Sequence, residues 1–385
     1  MSRQRERTGP KAQKMDGILA AYDIRPATID DVDALVACED ACFETDRISR
    51  RSFRHLLTKG HQATRVLCDP SGGIIGYAMV LFHRGTSLAR LYSLAVLPTQ
   101  RGHGYARKLL GAAEDAAGEE AAFLRLEVNA GNDRAIELYR QAGFRPFGRI
   151  EDYYEDGADA LRFEKALAGK PPPGLEKFPY YPQSLNFTCG PACLLMAFAA
   201  LKPGTEPTRV EELRLWREST TVFMTRGPAG CSPYGMALAA ADRGFKVGLN
   251  VHDPDVMFVD SVRAPAKKEI IRLVQEDYLA QLKARKIPVK SWPLTLKELQ
   301  AVVAKGGVPI VLISTYALDR EKVPHWVVVV GLDDRFVYVH DPFVDPDVIQ
   351  SQTDRMALPI PREDFERMSR YGRAKQRAAI VIQNT

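Results

Sequence analysis

Hydrophobic and polar positions alternate in short runs or recur at helical spacing from about Tyr22 to Leu167, and the pattern resumes near Phe178. Asp23-Ile24-Arg25-Pro26 reads as a short strand ended by proline. Thr28 with Asp30 and Asp31 supplies a capping residue and an acidic first turn for a helix to about Cys42. A second helix covers Arg51 to Leu57. Strands near Ala63 to Asp69 and Ile74 to Phe82 flank the turn Pro70-Ser71-Gly72-Gly73. The β-compatible run Leu91 to Val96 leads into Arg101-Gly102-His103-Gly104-Tyr105-Ala106, and helix formers continue to about Gly118. A strand at Ala122 to Val128, a helix from Asn132 to Gln141 closed by Ala142-Gly143, and a hairpin-like pair at Arg145 to Tyr154 and Ala160 to Glu164 complete this half.

Ala168-Gly169-Lys170-Pro171-Pro172-Pro173-Gly174 interrupts the pattern. Three successive prolines fit neither a helix interior nor a central strand, so residues 169–177 read as a stiff extended linker between a domain at 21–168 and another at 178–385. Helices are predicted at Cys189 to Leu201 and near Val210 to Arg217, Pro233 to Arg243, Lys267 to Arg285 and Thr295 to Ala304. Strands are predicted at Lys246 to Val251, Pro309 to Ser314, Trp326 to Gly331 and Phe336 to His340. No internal repeat links the halves, so they are different modules in a two-domain α+β chain.

A chain of 385 residues can bury two sizeable cores, and its 45% hydrophobic and 26% charged residues are those of an ordinary globular protein. The net charge of +5 is mild, and nucleic acid is not an expected partner. Residues 1–20 read as a disordered basic tail, with Arg3, Arg5, Arg7, Lys11 and Lys14 among polar residues; a ribosome or nucleic-acid contact is the sharper alternative. No stretch approaches the ~20 apolar residues that span a bilayer, and no apolar run of signal-peptide length opens the chain. A cytoplasmic protein without a membrane partner is expected. The six cysteines are too sparse for a secreted disulfide framework. Cys38/Cys42 and Cys189/Cys193 share a spacing of four, but no histidines at zinc-ligand spacing accompany them, so no metal site is read.

Two stretches carry chemistry. In the first, Gly102 and Gly104 let a ligand approach the backbone, and the free amides of the following helix favour an anion such as a pyrophosphate. A plain strand-to-helix turn is the bland alternative. Acid–base chemistry beside this loop would need one side chain to take a proton and another to give one. Glu127, at a strand end, can be the base, and Tyr139, on the next helix, the acid; a surface carboxylate and a packing ring are the alternatives.

Over residues 21 to 167 the element order resembles the GNAT acetyltransferase fold. The loop Arg101-x-x-Gly104-x-Ala106 matches that family's acetyl-CoA pyrophosphate loop. Leu126-Glu127-Val128, Asn132, Ala135, Leu138-Tyr139 and Gly143-Phe144, with Tyr153-Tyr154 after them, resemble the bacterial ribosomal-protein-alanine acetyltransferases, which modify a protein N-terminus. The resemblance implies acetyl-CoA as cofactor, held by Arg101, Gly102, His103, Gly104, Tyr105 and Ala106. It further implies that backbone groups of Leu94, Ala95 and Val96 pair with the pantetheine arm, that Asn132 and Tyr139 help hold it, and that Glu127 and Tyr139 have the base and acid roles.

The second stretch, Gln183-Ser184-Leu185-Asn186-Phe187-Thr188-Cys189-Gly190-Pro191, sets Cys189 at a helix start, where the dipole favours a thiolate. Thr188 can cap the helix, and Pro191 suits its first turn. The candidate base is His325. If the hairpin around Gly331 to Arg335 is symmetric about Asp333, His325 faces Asp341 directly, and one residue of slip separates them. Core packing is the bland reading of Cys189 and the expected one for Cys193. His340, by alternation on the opposite face, reads as a turn or core histidine, and Cys231, in Gly230-Cys231-Ser232-Pro233, is a reserve nucleophile.

Gln183, Cys189-Gly190, His325 and Asp341-Pro342 resemble the papain-like cysteine peptidase domain that removes double-glycine leader peptides in bacteriocin exporters, over roughly 178 to 345. The resemblance implies that Gln183 is the oxyanion-hole donor. Thr188 departs from the acidic residue usual before the cysteine, and residues 205–300 resemble an insertion. Together the halves imply a bifunctional protein that acetylates a protein or peptide amine and cleaves peptides, with a ribosomal protein or ribosomally made peptide as partner. The alternatives are a second half that binds peptides without cutting them and a ribosome-associated protein with vestigial sites.

Overall fold

The computed structural model describes residues 22–168, 171–220, 230–252, 256–259, 262, 264–319, 323–344 and 352–385. The basic tail at 1–20 and linker residues Gly169 and Lys170 lie outside them. Apart from the turn Arg84–Ser87, the first of two compact units ends at Gly169.

The first unit is built on a seven-stranded sheet ordered β1-β2-β3-β4-β5-β7-β6, formed by Asp23–Pro26, Gln62–Cys68, Ile74–Phe82, Leu88–Val96, Phe123–Asn129, Arg145–Ile150 and Ala160–Ala166 for β1 to β7. All neighbours are antiparallel except β4 and β5. Both faces are covered, because alternate residues of β3 are apolar on both sides. Tyr77 and Met79 pack with Val32, Leu35, Phe53 and Leu56 of helices α1 (Val32–Cys42) and α2 (Arg50–Lys59). Ala78 and Val80 pack with Leu109, Leu110 and Ala113 of α3 (Tyr105–Gly118), and Ile136 of α4 (Asp133–Gln141) joins this core. The predicted strand to Tyr154 is shorter: β6 ends at Ile150, and Tyr153 and Tyr154 sit in the loop before β7.

The second unit has a sheet ordered β13-β12-β11-β10-β14-β8-β9, with β8 Lys246–His252, β9 Val289–Lys290, β10 Val308–Ser314, β11 Pro324–Leu332, β12 Phe336–His340, β13 Leu358–Pro361 and β14 Arg377–Gln383. Helix α5 (Cys189–Leu201) is apolar all round and is buried continuously from Cys189 to Ala199, as such a sequence requires. It packs on β11 and β10. The apparent insertion at 205–300 belongs to this body. It supplies α6 (Arg209–Ser219), α7 (Pro233–Asp242), α8 (Pro265–Ala284) and the strands β8 and β9, and α7 packs on β8. The proline segment is not extended throughout: Leu175–Lys177 form a 3-10 turn. A Cβ at Gly331 would lie 2.6 Å from Leu175 Cδ2 and 3.8 Å from Pro172 Cγ, so glycine lets this segment lie against β11.

Candidate active sites

In the first unit, parallel β4 and β5 are in register only at Leu88–Phe123, Ala89–Leu124 and Arg90–Arg125. Beyond Arg90 they diverge. Leu94, Ala95 and Val96 keep their β3 partners Ala78, Tyr77 and Gly76, while the other edge has no strand beside it among the described residues. An unpaired strand edge offers amides and carbonyls to a ligand. Arg101 Nε donates to the Val96 carbonyl at 3.1 Å, which fixes the loop to the end of β4. Gly102 and Gly104 have φ of 88° and 79°, a left-handed conformation that suits glycine, and a Cβ on either would meet nothing within 4 Å. The loop is therefore an open cradle. His103 Nδ1 lies 3.2 Å from the Gln100 carbonyl, with its ring stacked on Tyr105. Gly104 is the N-cap of α3, so the amides of Tyr105 and Ala106 belong to the turn that lacks intrahelical acceptors.

Glu127, on β5, has a side chain only 3% exposed and accepts from Arg90 Nε at 2.7 Å. Arg90 Nη2 in turn donates to the Tyr153 hydroxyl at 2.7 Å. Arg90 was missed in the sequence because it lies before the apolar run Leu91 to Val96; its signal is a charge between the apolar residues Ala89 and Leu91. Tyr139 is a buried ring against Phe144 and Phe163, and burial keeps its phenol protonated far above neutral pH. Burial raises Tyr154 as well, helped by Tyr153, Glu127 and Tyr139, so these groups share one neighbourhood. Asn132 Oδ1 accepts from the Ala135 amide at 3.1 Å and caps α4, so its oxygen is committed to the helix.

In the second unit, Cys189 opens α5 and is 8% exposed. The Thr188 hydroxyl donates back to the Leu185 carbonyl at 2.9 Å and accepts from the Leu185 amide at 3.3 Å, so, contrary to the sequence expectation, its oxygen serves the preceding turn and makes no side-chain cap. Burial alone would raise the Cys189 thiol; His325 outweighs it, helped by backbone bonds at Trp326 and Gly190, and brings the thiol below its ordinary value. His325 is pushed up to about 10, since the Asp341 carboxylate and the Cys189 thiolate together overcome burial. His325 Nε2 lies 2.6 Å from Asp341 Oδ1.

These two residues do not meet by the symmetric hairpin. The observed register pairs Val328 with His340 and Val329 with Val339, with a bulge before Gly331. The shift near the site is two residues, which preserves the face, and Asp341 reaches His325 diagonally. The turn has a different cause from symmetry: Asp333 Oδ1 accepts from the amides of Arg335 and Phe336, and its Oδ2 from the Tyr338 hydroxyl.

Asp341 is gripped from all sides. Oδ1 also accepts from the Phe343 amide at 2.9 Å, and Oδ2 from Arg355 Nη1 at 2.6 Å. Although burial opposes it, Arg355 and His325 hold this carboxyl far below the usual range. Arg355, 2% exposed, lies beyond the last predicted strand and has no spacing to Cys189 or His325 that sequence could reveal. Gln183 is anchored by its main-chain amide to the Pro342 carbonyl at 2.8 Å, and its Nε2 donates to the Leu185 carbonyl at 2.9 Å; its Oε1 is buried without a partner among the described residues. No hydrogen bond joins Gln183 to Cys189 among the described residues. Buried Glu212 of α6 holds the same segment, accepting from the Ser184 amide at 2.8 Å and the Tyr181 hydroxyl at 3.0 Å.

Burial pushes the thiols of Cys193 and Cys231 well up, and Cys193 donates to the Trp326 carbonyl at 3.2 Å. The reserve nucleophile Cys231 thus keeps a protonated thiol, and its main-chain carbonyl accepts from Trp326 Nε1. His340 is a core histidine: its Nδ1 accepts from the Ala357 amide, and the rings of Phe178 and Tyr180 enclose it. Among the described residues no group of three or more His, Cys, Asp or Glu could hold a metal ion.

Residues 178–383 match the model of a "Peptidase_C39 like family", and residues 32–144 that of the "Acetyltransferase (GNAT) family". Over 152 residues the chain is 34% identical to the N-terminal acetyltransferase A complex catalytic subunit NAA10 of Arabidopsis thaliana, covering 38% of this chain and 79% of that protein. It is 30% identical over 151 residues to an N-alpha-acetyltransferase of Sulfurisphaera tokodaii, covering 36% and 89%. A crystal structure of the ribosomal-protein-S18-alanine N-acetyltransferase of Escherichia coli superposes with a TM-score of 0.36 at 25% identity, covering 39% of this chain and 96% of that one.

Proposed function

Since the chain belongs to the Peptidase_C39 like family and carries an N-terminal GNAT acetyltransferase domain that uses acetyl-CoA, we propose that it acetylates the α-amine of a protein or peptide and cleaves peptides at Cys189. The open cradle at Arg101 to Ala106 and the unpaired edge of Leu94 to Val96 fit the pyrophosphate and the amide-bearing arm of that cofactor. When bound there it supplies the acetyl thioester. Glu127, fixed by Arg90, would take the proton of the acceptor amine, and Tyr139 would hold a phenolic proton for the thiolate that leaves. The relatives named as N-terminal acetyltransferases support an α-amine acceptor.

At the second site the Cys189 thiolate attacks the scissile carbonyl, and the His325 imidazolium protonates the leaving amine. Water then releases the acyl group. Asp341, held by Arg355, keeps the imidazole oriented and charged. Gln183 retains one amide hydrogen beyond that given to Leu185, which suits it to a developing oxyanion. The single observation carrying the peptidase reading is the buried line Cys189, His325, Asp341 and Arg355. The cleaved product carries a free α-amine, the acceptor class of the first site, and a ribosomally made peptide would present both groups. The low exposure of Cys189 and His325 favours a second reading, a module that binds peptides without cutting them. No helix among the described residues is long and apolar enough to cross a membrane.

Acceptor class is tested with three peptides of one Ala-initiated sequence: a free N-terminus without lysine, a blocked N-terminus with one lysine, and a blocked N-terminus without lysine. Acetyl transfer to the first alone is expected. Transfer to the lysine peptide at an equal rate would overturn α-amine specificity.

A further inference from the structure

The acetyl-transfer machinery above leaves one buried carboxylate of the first unit unused. Glu39, on α1, is 2% exposed, yet its two oxygens are occupied from two directions. Oε1 accepts from the amide of Ile48 at 2.9 Å, the point where the loop between α1 and α2 returns to the core with Ile48 itself buried. Oε2 accepts from the hydroxyl of Tyr77 on β3. The Tyr77 oxygen in turn lies 2.8 Å from Ser93 Oγ, on the stretch of β4 that has left β5. A carboxylate is an acceptor only, so the donors run in one direction, Ser93 to Tyr77 to Glu39, with Ile48 closing the other side.

Both arms end beside the proposed acetyl-transfer residues. Along the first, Asp46 of the α1–α2 loop and Glu155 of the β6–β7 loop clasp each other: the Asp46 amide donates to Glu155 Oε2 at 3.4 Å and the Glu155 amide to Asp46 Oδ2 at 3.3 Å. The β6–β7 loop carries Tyr153, which accepts from Arg90, the residue that holds Glu127. Along the second, Ser93 precedes Leu94 to Val96 directly. Burial raises the Glu39 carboxyl, with Tyr77 and the Ile48 amide opposing it, so the group is retained at a cost. A buried carboxylate linked only to packing would be replaced without kinetic consequence; this one ties the two loops beside Glu127 to the opened strand.

We propose that Glu39 is a positioning residue for acetyl transfer, fixing the α1–α2 loop, and through the Asp46–Glu155 clasp the β6–β7 loop, as the wall against which the acceptor peptide lies. The inference rests on the acetyltransferase reading of this site. The acetyl-CoA cradle at Arg101 to Ala106 has its own anchor, the Val96 carbonyl, which accepts from Arg101 Nε and Cys42 Sγ.

The test compares wild type, Glu39→Gln and Tyr77→Phe by hydrogen exchange, acetyl-CoA calorimetry and steady-state transfer to the Ala-initiated peptide with a free N-terminus. Glu39→Gln is expected to speed amide exchange at residues 44–49 and 151–158, to raise KM for the peptide about tenfold, and to leave the calorimetric affinity for acetyl-CoA within about twofold. Tyr77→Phe, which keeps Glu39 and its bond to Ile48, is expected to retain slow exchange in both loops. Unchanged exchange in Glu39→Gln, or equal losses of peptide and acetyl-CoA affinity, would overturn the proposal. If wild type transfers no acetyl group, the acetyltransferase reading fails, while the exchange of the two loops still decides the role of Glu39.

Discussion

Replacing His325 by alanine is expected to slow alkylation of Cys189 by iodoacetamide at pH 7 by about tenfold or more. A thiol at its ordinary value of 9.0 is about one per cent thiolate at that pH, and burial without the imidazole moves Cys189 higher still. Cys193 and Cys231 are internal controls, since they share the same buried surroundings without a lowered thiol and should stay unlabelled in both proteins. The pH dependence follows from the two directions. The thiolate–imidazolium pair forms as pH rises through the lowered thiol value and is lost as His325 deprotonates near 10, so cleavage should follow a broad bell between them. For stability the sign is separate: His325 is raised, so its contribution is full below its ordinary 6.5 and disappears as pH rises through about 10. Mapping by peptide mass spectrometry reads the labelled site. Equal labelling of wild type and His325→Ala at pH 7 would leave the second half as a binding module.

Glu127→Gln is expected to lower the rate of acetyl transfer by about 10²–10⁴-fold, the usual contribution of a positioned base, while acetyl-CoA binding measured by calorimetry stays within about twofold. The glutamine still offers an oxygen to Arg90, which also keeps its bond to Tyr153, so the local arrangement is retained. An unchanged rate would show that Glu127 serves only to hold Arg90.

Local chemistry was legible in the sequence where neighbours in the chain determine it. The glycines before α3, the helix start at Cys189 and the alternation of β3 all follow from residues within a turn or two. Long-range consequences were less visible. β14 lies inside the second sheet, between β10 and β8, and an apolar run such as Ala378 to Ile382 carries no sign of which strands it will join. The turn at Asp333 was placed correctly but its register was not, since side-chain bonds of Asp333 and a bulge decide it. Arg90, Arg355, Glu212 and Glu39 were overlooked for one physical reason: a charge reads as surface in sequence, and only the fold reveals the partner that lets it be buried.

Incubating the protein with acetyl-CoA and a library of unmodified peptides, then sequencing the products by mass spectrometry, reads both sites together. Wild type should yield shortened peptides whose new N-termini are acetylated, and Cys189→Ala should yield only full-length peptides with acetylated N-termini. A library recovered from wild type uncut and unacetylated would contradict both activities, and new termini appearing equally with Cys189→Ala would contradict the assignment of the nucleophile.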